Sequence, residues 1–121
     1  MRGARVLLVD DETEIVRLLT RRLSRLGYGV AAATDGTQAL ALLQQASFDV
    51  AIVDFMMPGM TGLELADQCR LRYPGMKILM LTGSPVVAEI EAARYPCLRK
   101  PLENLEELDR AIGRLLAPQT N

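Results

Sequence analysis

The chain contains no histidine and no tryptophan, and only two of its 121 residues are cysteines. Without histidine the chain lacks the commonest general base and metal ligand of proteins, and it cannot itself carry a phosphohistidine. Cys69 and Cys97 form no CxxC or Cys/His grouping, so we expect two reduced, small apolar residues rather than a disulfide. A chemical site in this chain must therefore be built mainly from other side chains.

A strong charge of one sign and long uncharged stretches are also absent. The formal net charge is −1 and no Lys/Arg cluster forms a stripe, so we expect no direct contact with nucleic acid or membranes. The uncharged stretches are too short to span a bilayer, and no positively charged start leads into a long apolar segment, as a signal peptide requires. Hydrophobic residues make up 50% of the chain and charged residues 24%, the balance of a globular protein with one core.

Short apolar runs alternate with amphipathic stretches along the whole chain. The pattern predicts strands at 5–9, 29–33, 49–53, 77–81 and 97–98, and helices at 12–26, 35–46, 62–73, 85–94 and 103–116. Strands that are apolar throughout need helices on both faces, which indicates a parallel sheet. We therefore expect a three-layer, doubly wound α/β fold with strand order 2-1-3-4-5. It forms one domain over 1–121, with its core at 5–116 and a polar tail at 117–121 that either ends the protein or begins a linker.

Polar side chains stand where four of the predicted strands end. Asp10 and Asp11 follow the first strand, and Asp54 follows the third. Thr82 and Lys100 follow the fourth and fifth. Ligands in open parallel sheets bind at this edge, so we expect these groups to converge. Neighbouring carboxylates repel unless protons or a cation intervene, and ligands that are all oxygens favour Mg²⁺ over Ca²⁺. The hydroxyl and the ammonium suit a phosphoryl group.

Each of these residues also has an ordinary structural explanation. Asp11 or Thr13 can cap the first predicted helix. Asp54 can begin the turn that Pro58 and Gly59 indicate, a threonine is a common strand end, and a lone lysine is usually a solvated charge. What favours a functional site is the conjunction, because the groups stand at carboxyl ends and nowhere else along the strands.

The motifs "VLLVDD", "VDFMMPGMTG", "LMLTGS" and "LRKPL", in this order, resemble the receiver domain of two-component response regulators over residues 5–116. The resemblance implies a flavodoxin-like fold in a cytoplasmic signalling switch that is not a conventional enzyme. It implies that Asp54 accepts a phosphoryl group from a sensor histidine kinase or a phosphotransfer protein. Phosphorylation then changes binding to an unknown downstream protein or output domain, and a homodimer is left open.

The same resemblance assigns roles to the other site residues. Asp11 and the phosphoacceptor carboxylate bind Mg²⁺ directly, together with the backbone carbonyl of Met56. Asp10 acts mainly through a metal-bound water. Thr82 and Lys100 contact the phosphoryl oxygens, and the peptide bond between Lys100 and the following proline is expected to be cis.

The chain departs from the family pattern between Thr82 and Lys100. This segment is a few residues shorter than usual, so the fourth helix, predicted at 85–94, is shortened. The position three before the lysine, usually Tyr or Phe, is Cys97, and Tyr95 supplies a nearby ring in a different register. We therefore expect the phosphoacceptor chemistry to be intact and the output surface to be atypical.

Two other functions compete with this interpretation. One is a Mg²⁺-dependent phosphatase with Asp54 as its nucleophile, but dehalogenase-type enzymes need a second aspartate two residues later, where this chain has Met56. The other is a degenerate receiver that binds partners without taking phosphate. Retention of every motif residue counts against it.

Overall fold

The computed structural model describes residues 3–83, 89–90, 93–102 and 104–118. The strands of this part are β1 Arg5–Val9, β2 Gly29–Ala33, β3 Val50–Asp54, β4 Lys77–Thr82 and β5 Cys97–Arg99. The helices are α1 Thr13–Arg25, α2 Gly36–Gln45, α3 Gly62–Arg72 and α4 Leu105–Leu116. These predicted elements are confirmed, with ends that shift by at most two residues. The helix predicted at 85–94, and its shortening, lie largely outside the described residues.

The strands form one parallel sheet in the order β2-β1-β3-β4-β5, as predicted. The register of the sheet aligns the strand ends that matter. Val9 lies opposite Val53, so Asp10 and Asp54 leave their strands at the same level. Leu81 pairs with Leu98 one step before the end of β4, which brings the residues after β5 to the same edge.

The core lies in two layers, one on each face of the sheet. Alternate side chains of a strand point to opposite faces, so β1 and β3 contribute to both layers. One layer packs β1 and β3 residues against α2 and α3, including Leu43 and Leu65. The other packs the remaining strand residues against α1 and α4, including Leu23 and Ile112. Each fully buried aliphatic side chain contributes roughly 1.5–3 kcal/mol relative to an exposed one.

The two cysteines lie in different environments. Cys69 is buried in the core, and Cys97 is half-buried on β5. Burial raises the pKa of the Cys69 thiol to about 11, so this thiol is an unreactive core residue.

Helix starts are fixed by side chains at α2 and α3 but not at α1. Asp35 accepts the Gln38 N–H at 2.8 Å, and Thr61 forms a capping box with the glutamate that lies three residues later. The N-cap residue of α1 is Glu12, and it makes no side-chain capping bond. Asp11 therefore does not occupy the capping position that the sequence allowed. Within the described residues, no helix has the length and apolar character needed to cross a membrane.

Candidate functional site

Two buried carboxylates lie side by side at the carboxyl edge of the sheet. Asp54 is the last residue of β3 and Asp10 follows β1, the neighbouring strand. Asp10 is 0% exposed and Asp54 is 3% exposed. Because parallel neighbours end at the same level, the sequence needs only one aspartate after each apolar run to build this pair.

Lys100 brings a positive charge between these carboxylates. Its Nζ lies 2.7 Å from Asp10 Oδ2 and 3.4 Å from Asp54 Oδ2. The same Nζ lies 2.9 Å from Glu12 Oε1. The Lys100 N–H donates to the Thr82 carbonyl at 2.9 Å, which fixes the backbone beside the end of β4. The Lys100–Pro101 bond is cis, as the motif implies.

The two oxygens of Asp10 differ in their partners. Oδ1 accepts the backbone N–H of Glu12 at 2.9 Å. Oδ2 forms an ion pair with the Lys100 ammonium 2.7 Å away and has no other polar partner within the described part of the chain. Oδ2 is a buried acceptor that retains capacity for a further cation.

The electrostatic balance of the site shifts the pKa of Asp54 upward. Burial, followed by repulsion from Asp10, raises the pKa of Asp54 to about 6, although Lys100 and the Met56 N–H oppose the shift. Burial alone would lower the pKa of Lys100, but its contacts with Asp10, Glu12 and Asp54 together raise it. Lys100 thus stays charged while Asp54 is an ionised carboxylate only above mildly acid pH.

A cleft of about 610 Å³ opens onto this charged group. Its lining includes Asp11 and Met56, which are both exposed, together with Asp54 and Lys100. Thr82 is fully buried at the end of β4. The predicted residues therefore gather at one edge of the sheet, with Asp11 at the mouth of the cleft and Asp10 beneath it.

The donor set fits a small hard cation. One carboxylate oxygen from each of Asp10, Glu12 and Asp54 lies within 4.8 Å of the others, and among the described residues the buried Asp10 Oδ2 has no polar partner besides Lys100. Oxygen ligands in this number suit Mg²⁺ with water filling the remaining positions. The motif names Asp11 where this cluster contains Glu12. Glu12 was not predicted from the sequence, because a glutamate at a helix start is ordinarily explained by the helix dipole.

The backbone behind Asp54 is held by the start of α3. The Gly62 N–H donates to the Phe55 carbonyl at 2.9 Å. A Cβ at Gly62 would lie 2.1 Å from the Asp54 carbonyl oxygen, so no other residue fits. Gly59 adopts a φ of 77°, which permits the turn between β3 and α3. Steric contact with the Asp54 carbonyl therefore explains why the last position of the "VDFMMPGMTG" motif, Gly62, is a glycine.

A second polar group, which sequence reasoning missed, lies under α3. Tyr95 is 4% exposed and its hydroxyl donates to Asp67 Oδ1 at 2.7 Å. The Arg70 guanidinium lies over the Tyr95 ring at 4.2 Å and also donates to the Ala93 carbonyl at 2.8 Å. Tyr95 is thus a buried ring two residues before half-buried Cys97. Nothing in the spacing of the sequence indicated Asp67 or Arg70 as its partners.

Comparison with known proteins gives one family. A family model described as the response regulator receiver domain matches residues 6–112. Response regulator MprA of Mycobacterium sp. (strain KMS) is 38% identical over 120 residues, which cover 94% of this chain and 52% of that protein. Transcriptional regulatory protein TctD of Salmonella typhimurium (strain LT2) is 35% identical over 116 residues, covering 93% and 51%. The chain therefore spans about half the length of these curated relatives.

Solved structures of similar chains have the same fold. Chemotaxis protein CheY4 of Vibrio cholerae is 38% identical with a TM-score of 0.87, and the match covers 94% of this chain and 99% of that one. Response regulator TrrA of Thermotoga maritima, solved with Mg²⁺–BeF, is 32% identical with a TM-score of 0.85, covering 96% and 100%. TrrA in complex with histidine kinase ThkA gives 33% identity and a TM-score of 0.84, covering 97% and 100%.

Proposed function

Because the chain belongs to the response regulator receiver domain family, we propose that it is a single phosphoacceptor domain whose Asp54 takes a phosphoryl group from a histidine kinase or phosphotransfer protein. The observation that carries this proposal is the placement of Asp54. Its carboxylate lies at the tip of a buried strand, 3.4 Å from the Lys100 ammonium, and lines a cleft open to a donor. The relative TrrA, solved with the histidine kinase ThkA, supports the class of donor.

The proposed reaction is an in-line transfer. An ionised oxygen of Asp54 forms a bond to phosphorus as the bond from phosphorus to the donor imidazole nitrogen breaks, and the imidazole leaves with the electron pair and gains a proton. A pKa of about 6 leaves Asp54 mostly ionised at neutral pH. Lys100 then neutralises charge on the phosphoryl oxygens, and we assign Thr82 the hydrogen bond to one of them.

We propose Mg²⁺ as the cation of this site. Asp11, Asp54 and the Met56 carbonyl would hold it directly, and Asp10 would act mainly through a metal-bound water. When bound, Mg²⁺ would offset the charge of the carboxylates and of the incoming phosphoryl group. The relative TrrA, solved with Mg²⁺–BeF, supports this choice of metal.

We further propose that the chain is a cytoplasmic switch rather than an enzyme acting on a small substrate. The apolar Met56, two residues after the nucleophile, offers no acid or base for turnover. The phosphorylated form would act on a downstream protein or an attached output domain. The length of the relatives, about twice this chain, is consistent with an attached domain.

Intact mass spectrometry after incubation with acetyl phosphate and Mg²⁺ tests the proposal. We expect the mass of one added phosphoryl group, lost with EDTA and absent in Asp54→Asn. Asp35→Asn is the matched control, since asparagine also caps a helix, and it should be phosphorylated like the wild type. No phosphorylation would indicate a degenerate receiver. Release of phosphate from an added ester over many turnovers would indicate a phosphatase.

A further inference from the structure

The ammonium of Lys100 lies nearer to Glu12 than to the nucleophile. Nζ is 2.9 Å from Glu12 Oε1 and 3.4 Å from Asp54 Oδ2. In the proposed reaction, however, the ammonium must serve the phosphoryl group that forms on Asp54. The resting position of Lys100 is therefore set in part by a carboxylate that does not belong to the phosphoacceptor motif.

The position of Glu12 allows it to hold and then release this ammonium. Its backbone N–H is fixed by Asp10 Oδ1 at 2.9 Å. Its side chain, by contrast, makes no helix cap and is 59% exposed. A carboxylate with a fixed backbone and a solvated head can exchange the ammonium for water at little cost. The Lys100 side chain is only 10% exposed, and its other ion pairs are with the buried Asp10 and Asp54.

We propose, on the premise of the function proposed above, that Glu12 is a positioning residue that restrains Lys100 in the unphosphorylated chain and so slows phosphoryl uptake. A phosphoryl group on Asp54 competes for the ammonium. The Glu12 carboxylate, repelled by that anion, turns towards solvent. The length of the Glu12 side chain matters as well as its charge, because the restraint requires contact with Lys100.

The kinetic test separates contact from charge. The initial rate of phosphorylation is measured against acetyl phosphate concentration, at several Mg²⁺ concentrations, for Glu12→Gln, Glu12→Asp and Glu14→Gln. Glu12→Gln removes the charge, Glu12→Asp keeps it but shortens its reach, and Glu14→Gln removes an exposed charge from the first turn of the same helix. We expect about a two- to fivefold faster reaction for both Glu12 variants, the range an exposed ion pair allows, and no change for Glu14→Gln.

Three kinetic outcomes overturn the proposal. If Glu12→Asp behaves like the wild type while Glu12→Gln is faster, the charge alone acts on the donor. If the Glu12 variants are slower and need more Mg²⁺ for half-maximal rate, Glu12 belongs to the metal. If all the variants match the wild type, the resting contact has no consequence.

A second measurement decides the contact without any phosphorylation. The ammonium NMR signal of Lys100 in the unmodified chain should shift in Glu12→Gln and Glu12→Asp and stay unchanged in Glu14→Gln. An unchanged signal in all three rejects the proposal even where phosphorylation proceeds. A wild-type chain that takes up no phosphoryl group, with the NMR shift present, rejects instead the function on which the proposal rests.

Discussion

The hydroxyl of Tyr95 donates a hydrogen bond to the carboxylate of Asp67 at 2.7 Å, and this bond ties the segment before β5 to helix α3. The Arg70 guanidinium, 4.2 Å from the ring centre, covers the outer side of the same ring. The ring therefore fills the core from a position two residues before Cys97. Cys97 itself occupies the position where the family pattern has its aromatic residue. These contacts hold the segment before β5, where the chain departs from the family pattern, against α3.

Removing the hydroxyl of Tyr95 should destabilise the chain. In Tyr95→Phe the Asp67 carboxylate loses its buried donor while the ring keeps its packing, so we expect a loss of about 1–2 kcal/mol in the free energy of unfolding. Urea denaturation measures it. Tyr28→Phe is the control, because Tyr28 makes no side-chain hydrogen bond within the described residues. A change of equal size in both variants would contradict the assignment.

The same contact predicts a loss of stability at high pH. Burial, followed by the hydrogen bond to Asp67, raises the pKa of Tyr95 from 10.0 to about 12 in the folded chain. The folded state therefore holds this proton more tightly than the unfolded state, and the contribution is complete below pH 10 and lost as the pH rises to about 12. The difference in unfolding free energy between wild type and Tyr95→Phe should shrink over this window. A constant difference would contradict it.

The strands and the edge of the sheet that carries the candidate site could be predicted because both depend on residues that are close in sequence. Apolar runs of strand length define β1, β3 and β4, and each polar residue directly follows its run. The one-residue shift of β3, from 49–53 to Val50–Asp54, has a tertiary cause. Before the strand begins, the Asp49 carboxylate accepts the Arg5 N–H at 2.8 Å. At the other end, Asp54 pairs with Leu81 of β4 and so belongs to the strand.

What the sequence did not indicate depends on contacts between distant segments. Glu12 and Lys100 are 88 residues apart, and Tyr95 and Asp67 are 28 apart. Lys100 belongs to a motif, but its partner Glu12 does not, and no motif or periodic pattern links Tyr95 to Asp67. Such pairs become visible only when the register of the sheet has brought their elements together.

A glycine pair tests the packing behind the site. Gly62→Ala places a Cβ 2.1 Å from the Asp54 carbonyl oxygen, so α3 must shift, and we expect a loss of about 3 kcal/mol or more together with slower phosphorylation. Gly113→Ala, in α4, meets nothing within 4 Å and should raise stability by about 0.5–1 kcal/mol. Thermal denaturation of both variants measures the difference. Equal effects of the two substitutions would contradict the steric role of Gly62.

Neutralising Asp54 should stabilise the metal-free chain at neutral pH. The folded pKa is raised from 3.8 to about 6, so the stabilising contribution of the protonated form is present below pH 4 and lost as the pH rises through 6. Asp54→Asn keeps the side chain neutral throughout, and we expect a gain of about 2 kcal/mol at pH 7.5 that shrinks towards pH 4. Urea unfolding in EDTA, with Asp35→Asn as control, measures it. A less stable Asp54→Asn at pH 7.5 would contradict the raised pKa that burial and repulsion from Asp10 give Asp54.

Magnesium binding should offset the repulsion between the carboxylates, and the resulting gain in folding stability can be measured without phosphorylation. A cation that binds only the folded chain adds about 1.4 kcal/mol when its concentration is tenfold above the dissociation constant. We expect Mg²⁺ to raise the melting temperature of the wild type, with the effect lost in Asp10→Asn and Asp54→Asn. Asp11→Asn should also lose it, and Glu12→Gln should keep it, because we assign Asp11 to the metal and Glu12 to Lys100. If Glu12→Gln loses the effect while Asp11→Asn keeps it, the carboxylate cluster seen in the fold, rather than the motif, defines the metal ligands.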